Sequence, residues 1–197
     1  MEERKITEHE GLELIQKMIQ VAKADHNENG DAWLIWGWLL FIASVASAIL
    51  SFFQVRGYIS WVWTGILIVG MVLYFLLHVL RRRDEKVKTY VQELLDRLGT
   101  GFFISLFVIV AASFISKVSF GFGYYYILYA FWMYIHGSAI RFRPLIIGAY
   151  VNWLAAIAIF LLNDVTQIMI VSAIAVLVGY LIPGYMLQAE YRKKMKV

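Results

Sequence analysis

Residues 33–53 of this chain read WLIWGWLLFIASVASAILSFF, and they contain no charged side chain. A helix needs about 20 apolar residues to cross the hydrocarbon layer of a bilayer. The run is continuous and does not alternate apolar with polar residues, which is the pattern of a membrane helix and not of a barrel strand. Because lipid offers no hydrogen bonds to the backbone, the stretch predicts a membrane-spanning helix.

Five further stretches have a similar length and character, namely residues 59–80, 99–119, 122–140, 144–162 and 165–187. Hydrophobic residues make up 61% of the 197 positions, against roughly 45–50% in soluble domains. A soluble chain of this size could not bury so much apolar surface. We therefore predict an all-α polytopic membrane protein with six transmembrane helices in three hairpins.

The basic residues predict the orientation of these helices. With residues 1–31 in the cytoplasm, 16 of the 18 lysines and arginines fall on the inner side, and only Arg56 and Lys117 fall outside. Cytoplasmic loops carry such an excess of basic residues in most membrane proteins. Both termini are therefore expected to be cytoplasmic.

The cytoplasmic segments predict two amphipathic helices beside the transmembrane domain of residues 32–189. The first lies within residues 1–31, where Thr7 and Glu10 form a capping box and Leu12, Ile15, Met18 and Ile19 recur on one face. The second is residues 81–98, which Gly99 is expected to end. Residues 190–197 form a basic tail.

Charge suggests how these cytoplasmic segments are arranged. Residues 1–31 hold eight acidic and four basic side chains, whereas residues 81–98 hold six basic and four acidic ones. An acidic helix gains nothing from lying alone on an anionic leaflet. One hypothesis is that it packs on helix 81–98 and the tail; the alternative is two independently solvated helices.

The residue types exclude several function classes. There is no cysteine, which excludes disulfides, thiolate nucleophiles and cysteine-ligated metals. No zinc-protease helix, phosphate-binding glycine loop or catalytic serine arrangement is present. No basic stripe with interleaved aromatics indicates nucleic-acid binding. We expect neither an enzyme nor a bound cofactor or metal.

Two histidines near the inner ends of their spans, His78 and His136, leave one alternative open. Two histidines that face each other across a bundle can ligate a haem. An interfacial histidine more often hydrogen-bonds locally near a helix C-terminus, and we prefer this interpretation.

Deep polar residues are few, and they form the candidate pore or pocket: Tyr134, His136 and Asn152. Serines also occur within the spans, and small hydroxyls at such spacing more often serve close helix packing than a substrate path; they are Ser44, Ser47, Ser51, Ser105, Ser113 and Ser172. The pair Pro183 and Gly184 predicts a kink or a helix end near the inner face.

Four segments resemble a family of small bacterial inner-membrane proteins of this length and topology. They are IRFRPLIIG at 140–148, YLIPGY at 180–185, ELIQKMI at 13–19 and WGW at 36–38. The resemblance implies a bacterial inner-membrane location. It implies no particular activity, and it brings no catalytic residue with it.

Two functions follow from these patterns. The first is an interaction or regulatory membrane protein, in which Leu12, Ile15, Met18 and Ile19 dock a protein partner or a second copy at the cytoplasmic face. The second is a small transporter or channel for a neutral or apolar solute. The expected partners are membrane lipids, a protein at the cytoplasmic face or a homo-oligomer, and no nucleic acid.

Overall fold

A computed structural model describes residues 30–81, 90–116 and 121–194 of the chain. The predicted docking residues Leu12, Ile15, Met18 and Ile19 lie outside the described residues, as do positions 82–89 of the predicted helix 81–98. The described part is helical and contains no strand.

The helices follow one another with short connections. They are α1 (Asp31–Phe52), a 3₁₀ turn (Arg56–Tyr58), α2 (Ile59–Arg81), α3 (Tyr90–Ser116), α4 (Gly123–Ala139), α5 (Arg143–Leu161), α6 (Val165–Val176), a π-helical segment (Leu177–Leu181) and α7 (Ile182–Lys194). Within the described residues, five segments are long and apolar enough to cross a membrane, and these are Asp31–Phe52, Arg56–Leu73, Glu93–Ala112, Arg143–Leu161 and Val165–Lys193. The protein is thus a helical multi-pass membrane protein.

Helices α4 and α5 form the closest pair in the bundle. The turn between them is short, so the two helices run antiparallel and meet at both ends. Tyr124 at the start of α4 contacts Phe160 near the end of α5, with ring centroids 5.0 Å apart. At the other end, a Cβ atom on Gly137 would lie 2.8 Å from the Cβ of Leu145. The hairpin is therefore packed along its whole length.

Helix α1 packs antiparallel to the last helical stretch, α6 to α7. At one end the hydroxyls of Ser51 and Thr166 are 2.9 Å apart. At the other end the side-chain amide of Gln188 donates to the carboxylate of Asp31 at 3.0 Å. The first and last described helical stretches thus pack against each other from one end to the other.

Helices α2 and α3 lie at the periphery. Within the described residues α2 packs on α1, where Gly70 lies against the ring of Trp36. Helix α3 packs on α4, where a Cβ atom on Gly99 would come within 3.3 Å of Trp132. Many of their described apolar side chains are exposed, which suits contact with lipid; they include Ile68, Val72, Ile104 and Phe107.

The structure corrects the expected helix end at Gly99. Helix α3 runs without a break from Tyr90 to Ser116, so Gly99 lies inside it. Glycine in a helix interior costs about 1 kcal/mol relative to alanine. Here the missing side chain lets Trp132 approach the backbone of α3, which gives the glycine a packing role.

Pro183 does not end its helix either. The helical stretch continues through it to Lys194, and the π-helical segment Leu177–Leu181 comes immediately before. Proline lacks an N–H group and its ring clashes with the carbonyl one turn earlier. A π-helical segment changes the hydrogen-bond spacing just before the proline, and sharp kinks are common at such segments.

Two helix ends adopt the same hydrogen-bonded cap. After α1, the N–H of Val55 donates to the oxygen of Leu50 at 2.8 Å, and Gln54 has a φ of 60°. After α4, the N–H of Phe142 donates to the oxygen of Gly137 at 2.8 Å, and Arg141 has a φ of 54°. Glycine is the usual residue at such a left-handed position. A side chain there costs about 1–2 kcal/mol.

Candidate functional site

The three residues of the predicted pore or pocket do not share one surface. His136 and Asn152 are buried in the bundle, with 8% and 2% exposure, whereas Tyr134 is 38% exposed. Residues two positions apart on a helix point in nearly opposite directions. Tyr134 accordingly lies on the outer side of α4, against Trp153 and Tyr150 of α5.

Asn152 lies where α5 crosses the π-helical segment. Its side-chain amide donates to the oxygen of Gly148 at 2.8 Å and lies 3.5 Å from the sulfur of Met133. Gly148 and Gly179 face each other so closely that a Cβ atom on either one would overlap the other helix. The amide is thus held by its own helix at a tight crossing, and not aimed into an open path.

His136 lies among aromatic rings. Its ring centroid is 5.1 Å from that of Trp33 and 5.3 Å from that of Trp132. The contacts continue from Trp33 to Tyr180 at 5.1 Å and from Tyr180 to Tyr129 at 6.4 Å. Phe102 on α3 completes a ring of contacts, because it contacts both Tyr129 and Trp132. We call these six residues the aromatic circle.

The sequence indicates part of the aromatic circle. Tyr129, Trp132 and His136 follow one another at intervals of three and four, so they lie on one face of α4. Trp33 and Tyr180 come from distant parts of the chain. Their approach depends on how α1 packs against the π-helical segment, which the spacing on α4 alone does not indicate.

Four serines of the predicted spans line a helix interface, whereas Ser105 on α3 is exposed and donates to the oxygen of Gly101 at 2.9 Å. Ser44, Ser47 and Ser51 on α1 and Ser172 on α6 have 0% exposure. Ser44 donates to the oxygen of Leu40 at 2.8 Å, and the hydroxyl of Tyr126 donates to the oxygen of Ser172 at 3.0 Å. These contacts favour the packing interpretation of the serines over a substrate path.

Charged side chains of the described part lie near the ends of the helices. Arg56 and Asp164 form an ion pair of 3.6 Å between two loops at one end, and Asp164 also caps α6 by accepting from the N–H of Gln167 at 3.2 Å. Among residues 30–81, 90–116 and 121–194, no group of three or more candidate metal ligands was found. The side chain of His78 lies outside what the structure describes, so its pairing with His136 stays untested.

These observations define the chain as a multi-pass membrane protein whose described interior is a packed helix bundle. Comparisons with protein-family models, with curated proteins and with solved structures found no match. The resemblance to small bacterial inner-membrane proteins therefore stays an expectation from the quoted segments.

Proposed function

We propose that the protein has six transmembrane helices, with α4 as the fourth. Helix α4 has 17 residues, which span about 25 Å at the rise of an α-helix and reach the lower limit for a spanning segment. Its contacts with α5 support this proposal, because the two helices meet at both ends and so cover the same depth. Six spans bring both termini to one side of the membrane.

The side that both termini share is the cytoplasm, and the membrane is the inner membrane of a bacterium. The distribution of basic residues supports the orientation, because 16 of 18 fall on that side of a six-span chain. The segments at 140–148 and 180–185 support the choice of membrane through the resemblance described above.

The function we propose is that of an interaction or regulatory membrane protein, without enzymatic activity. One observation carries it: Ser44, Ser51 and Asn152 in the described bundle interior form their hydrogen bonds with other groups of the bundle. Asn152 bonds its own helix, the serines pack between α1 and α6, and Gly148 and Gly179 bring two helices into contact. Because the interior is packed in this way, we place the partner-binding surface on the cytoplasmic segments.

The docking surface in this proposal is the apolar face formed by Leu12, Ile15, Met18 and Ile19. Four apolar side chains at helical spacing suit a hydrophobic groove on a partner protein. Segment 81–98 is the second candidate contact, since its net positive charge complements the acidic segment 1–31. The partner is a protein at the cytoplasmic face or a second copy of the chain.

Charge introduced on this apolar face should abolish partner capture. We expect the variant Leu12→Glu/Ile15→Glu to lose the crosslinked adduct that wild type forms in intact cells, because glutamate cannot enter an apolar groove. A photo-reactive residue at position 19 provides the crosslink, and mass spectrometry identifies the adduct. Deletion of residues 1–26 should have the same effect while the bundle stays folded.

The matched control is Lys17→Glu/Gln20→Glu, which adds acidic residues on the opposite side of the same predicted helix. It should keep the adduct. Equal capture by wild type, the apolar-face variant and the deletion would refute the proposal.

The second candidate, a small transporter or channel for a neutral or apolar solute, is supported by the π-helical segment. Such segments are frequent at functional sites, and this one lies against Asn152. If the protein conducts, proteoliposomes should take up a neutral solute such as radiolabelled glycerol. Asn152→Leu should lose that uptake, while Ile157→Leu, at a position with 59% exposure, should keep it. Uptake equal to that of protein-free liposomes contradicts this candidate.

A further inference from the structure

We propose that Arg141 and Arg143, in the turn between α4 and α5, bind the phosphate group of an anionic membrane lipid. The turn connects the end of α4 at Ala139 with the start of α5 at Arg143. The proposal requires only that the chain is embedded in a membrane, and it does not depend on the partner proposed above.

The turn is fixed by the residue between the two arginines. Phe142 is 8% exposed and belongs to the hydrophobic core of the bundle. Its N–H donates to the oxygen of Gly137, and the N–H of Arg141 donates to the oxygen of Ser138 at 3.2 Å. Because Phe142 is anchored inside, its two neighbours are held at the surface, where both are exposed.

The charges of the two arginines are not neutralised within the described part of the chain. The ion pairs resolved there join Arg56 with Asp164 and Arg97 with Glu93, and neither includes the turn. Helix α7 packs on α5 and brings Glu190, Arg192 and Lys193 to the same end of the molecule, where Asp31 also lies against Gln188 of α7. This end therefore offers more positive than negative charge, which complements an anionic head group.

Arg141 occupies a backbone position that glycine would suit better. Its φ of 54° is one that glycine adopts without strain. The equivalent position at the other end of the bundle is Gln54, with a φ of 60° and the same pair of cap hydrogen bonds. Arginine at the strained position is explained if its guanidinium binds a ligand, since strain of this kind is tolerated where a function requires it.

The guanidinium groups and the expected membrane depth of the turn both favour the phosphate of a lipid as the ligand. The planar guanidinium presents paired N–H donors that match phosphate oxygens, and two arginines that flank one anchored residue can share a single phosphate group. Helix α5 begins at the turn with Pro144 in its first positions and runs directly into an apolar span. The arginines thus lie at the level of the lipid head groups and not in bulk water.

Native mass spectrometry of the full chain, released from detergent with phosphatidylglycerol or phosphatidylcholine, tests the proposal. Wild type should retain phosphatidylglycerol in preference to phosphatidylcholine. Each of Arg141→Gly and Arg143→Gln should weaken phosphatidylglycerol binding about fivefold, the effect of one basic side chain near an anionic surface. Glycine suits the backbone at position 141, so Arg141→Gly should also unfold at a higher temperature than wild type.

Two control variants distinguish lipid binding at a defined site from general electrostatic attraction between the lipid and the protein. Gln54→Gly relieves the same strain at the other end of the bundle, so it should raise the unfolding temperature and leave lipid binding unchanged. Arg192→Gln/Lys193→Gln removes two charges from the tip of α7 and should change binding less than twofold. Equal losses in the turn and α7 variants would overturn the proposal, as would displacement of the lipid by millimolar inorganic phosphate.

Discussion

Replacing Gly148 with valine should prevent α5 from packing against the π-helical segment. A Cβ atom at this position would overlap the backbone oxygen of Gly179, and it would come within 2.9 Å of Met133 and 3.1 Å of Pro183. A backbone oxygen in the middle of a helix cannot turn away as a flexible side chain can. We expect a loss of at least about 3 kcal/mol in the free energy of unfolding, the upper range for overpacked cores.

Thermal unfolding in mild detergent and the amount of protein in the membrane fraction measure this effect. The same change at Gly65 on α2 and at Gly101 on α3 provides the control, because a Cβ atom at either position meets no other atom within 4 Å. Both control variants should unfold near the wild-type temperature. A Gly148→Val protein as stable as the Gly65→Val protein would show that α5 and the π-helical segment are not in contact.

Replacing Trp33 with alanine should have the second largest effect. Trp33 is 4% exposed and contacts both His136 and Tyr180, with ring centroids 5.1 Å away in each case. Loss of the indole leaves a cavity in the aromatic circle, and such truncations cost about 3–5 kcal/mol in soluble cores. We expect about 3 kcal/mol, since lipid replaces water as the alternative surroundings of apolar side chains.

The matched substitution is Trp61→Ala. Trp61 is 74% exposed, so its removal leaves no cavity, and the change in free energy should stay within about 0.5 kcal/mol. Reversible unfolding in mixed micelles of increasing denaturing detergent compares the two variants directly. Equal stability of Trp33→Ala and Trp61→Ala would mean that the aromatic circle does not stabilise the bundle.

The spans could be predicted from the sequence because lipid and water differ so strongly as solvents. The stretch 33–53 corresponds to Asp31–Phe52, and 144–162 corresponds to Arg143–Leu161, each within about two residues. Such agreement follows from the cost of placing polar residues in hydrocarbon. Gly99 was misread because an isolated glycine also marks helix ends, and only the facing Trp132 explains it inside α3.

Which face of each helix is buried in the bundle could not be predicted in the same way. In a soluble helix the buried face is apolar and the exposed face is polar, whereas in a membrane both faces are apolar. The sequence therefore grouped Tyr134 with His136 and Asn152 by depth alone, and the structure separates Tyr134 by placing it on the outer face of α4. The aromatic circle depends on α1 meeting the π-helical segment, a contact between residues far apart in the chain.

The contact between Asp31 and Gln188 joins residues 157 positions apart, and this has a consequence for biosynthesis. Helix α1 leaves the ribosome before the other described helices, yet its partner along most of its length is the last of them to be made. Until then its serines and Gly37 face lipid or a temporary neighbour. A chain that stops after α5 would keep that surface open, and it should be recognised by membrane proteases as an unfinished product.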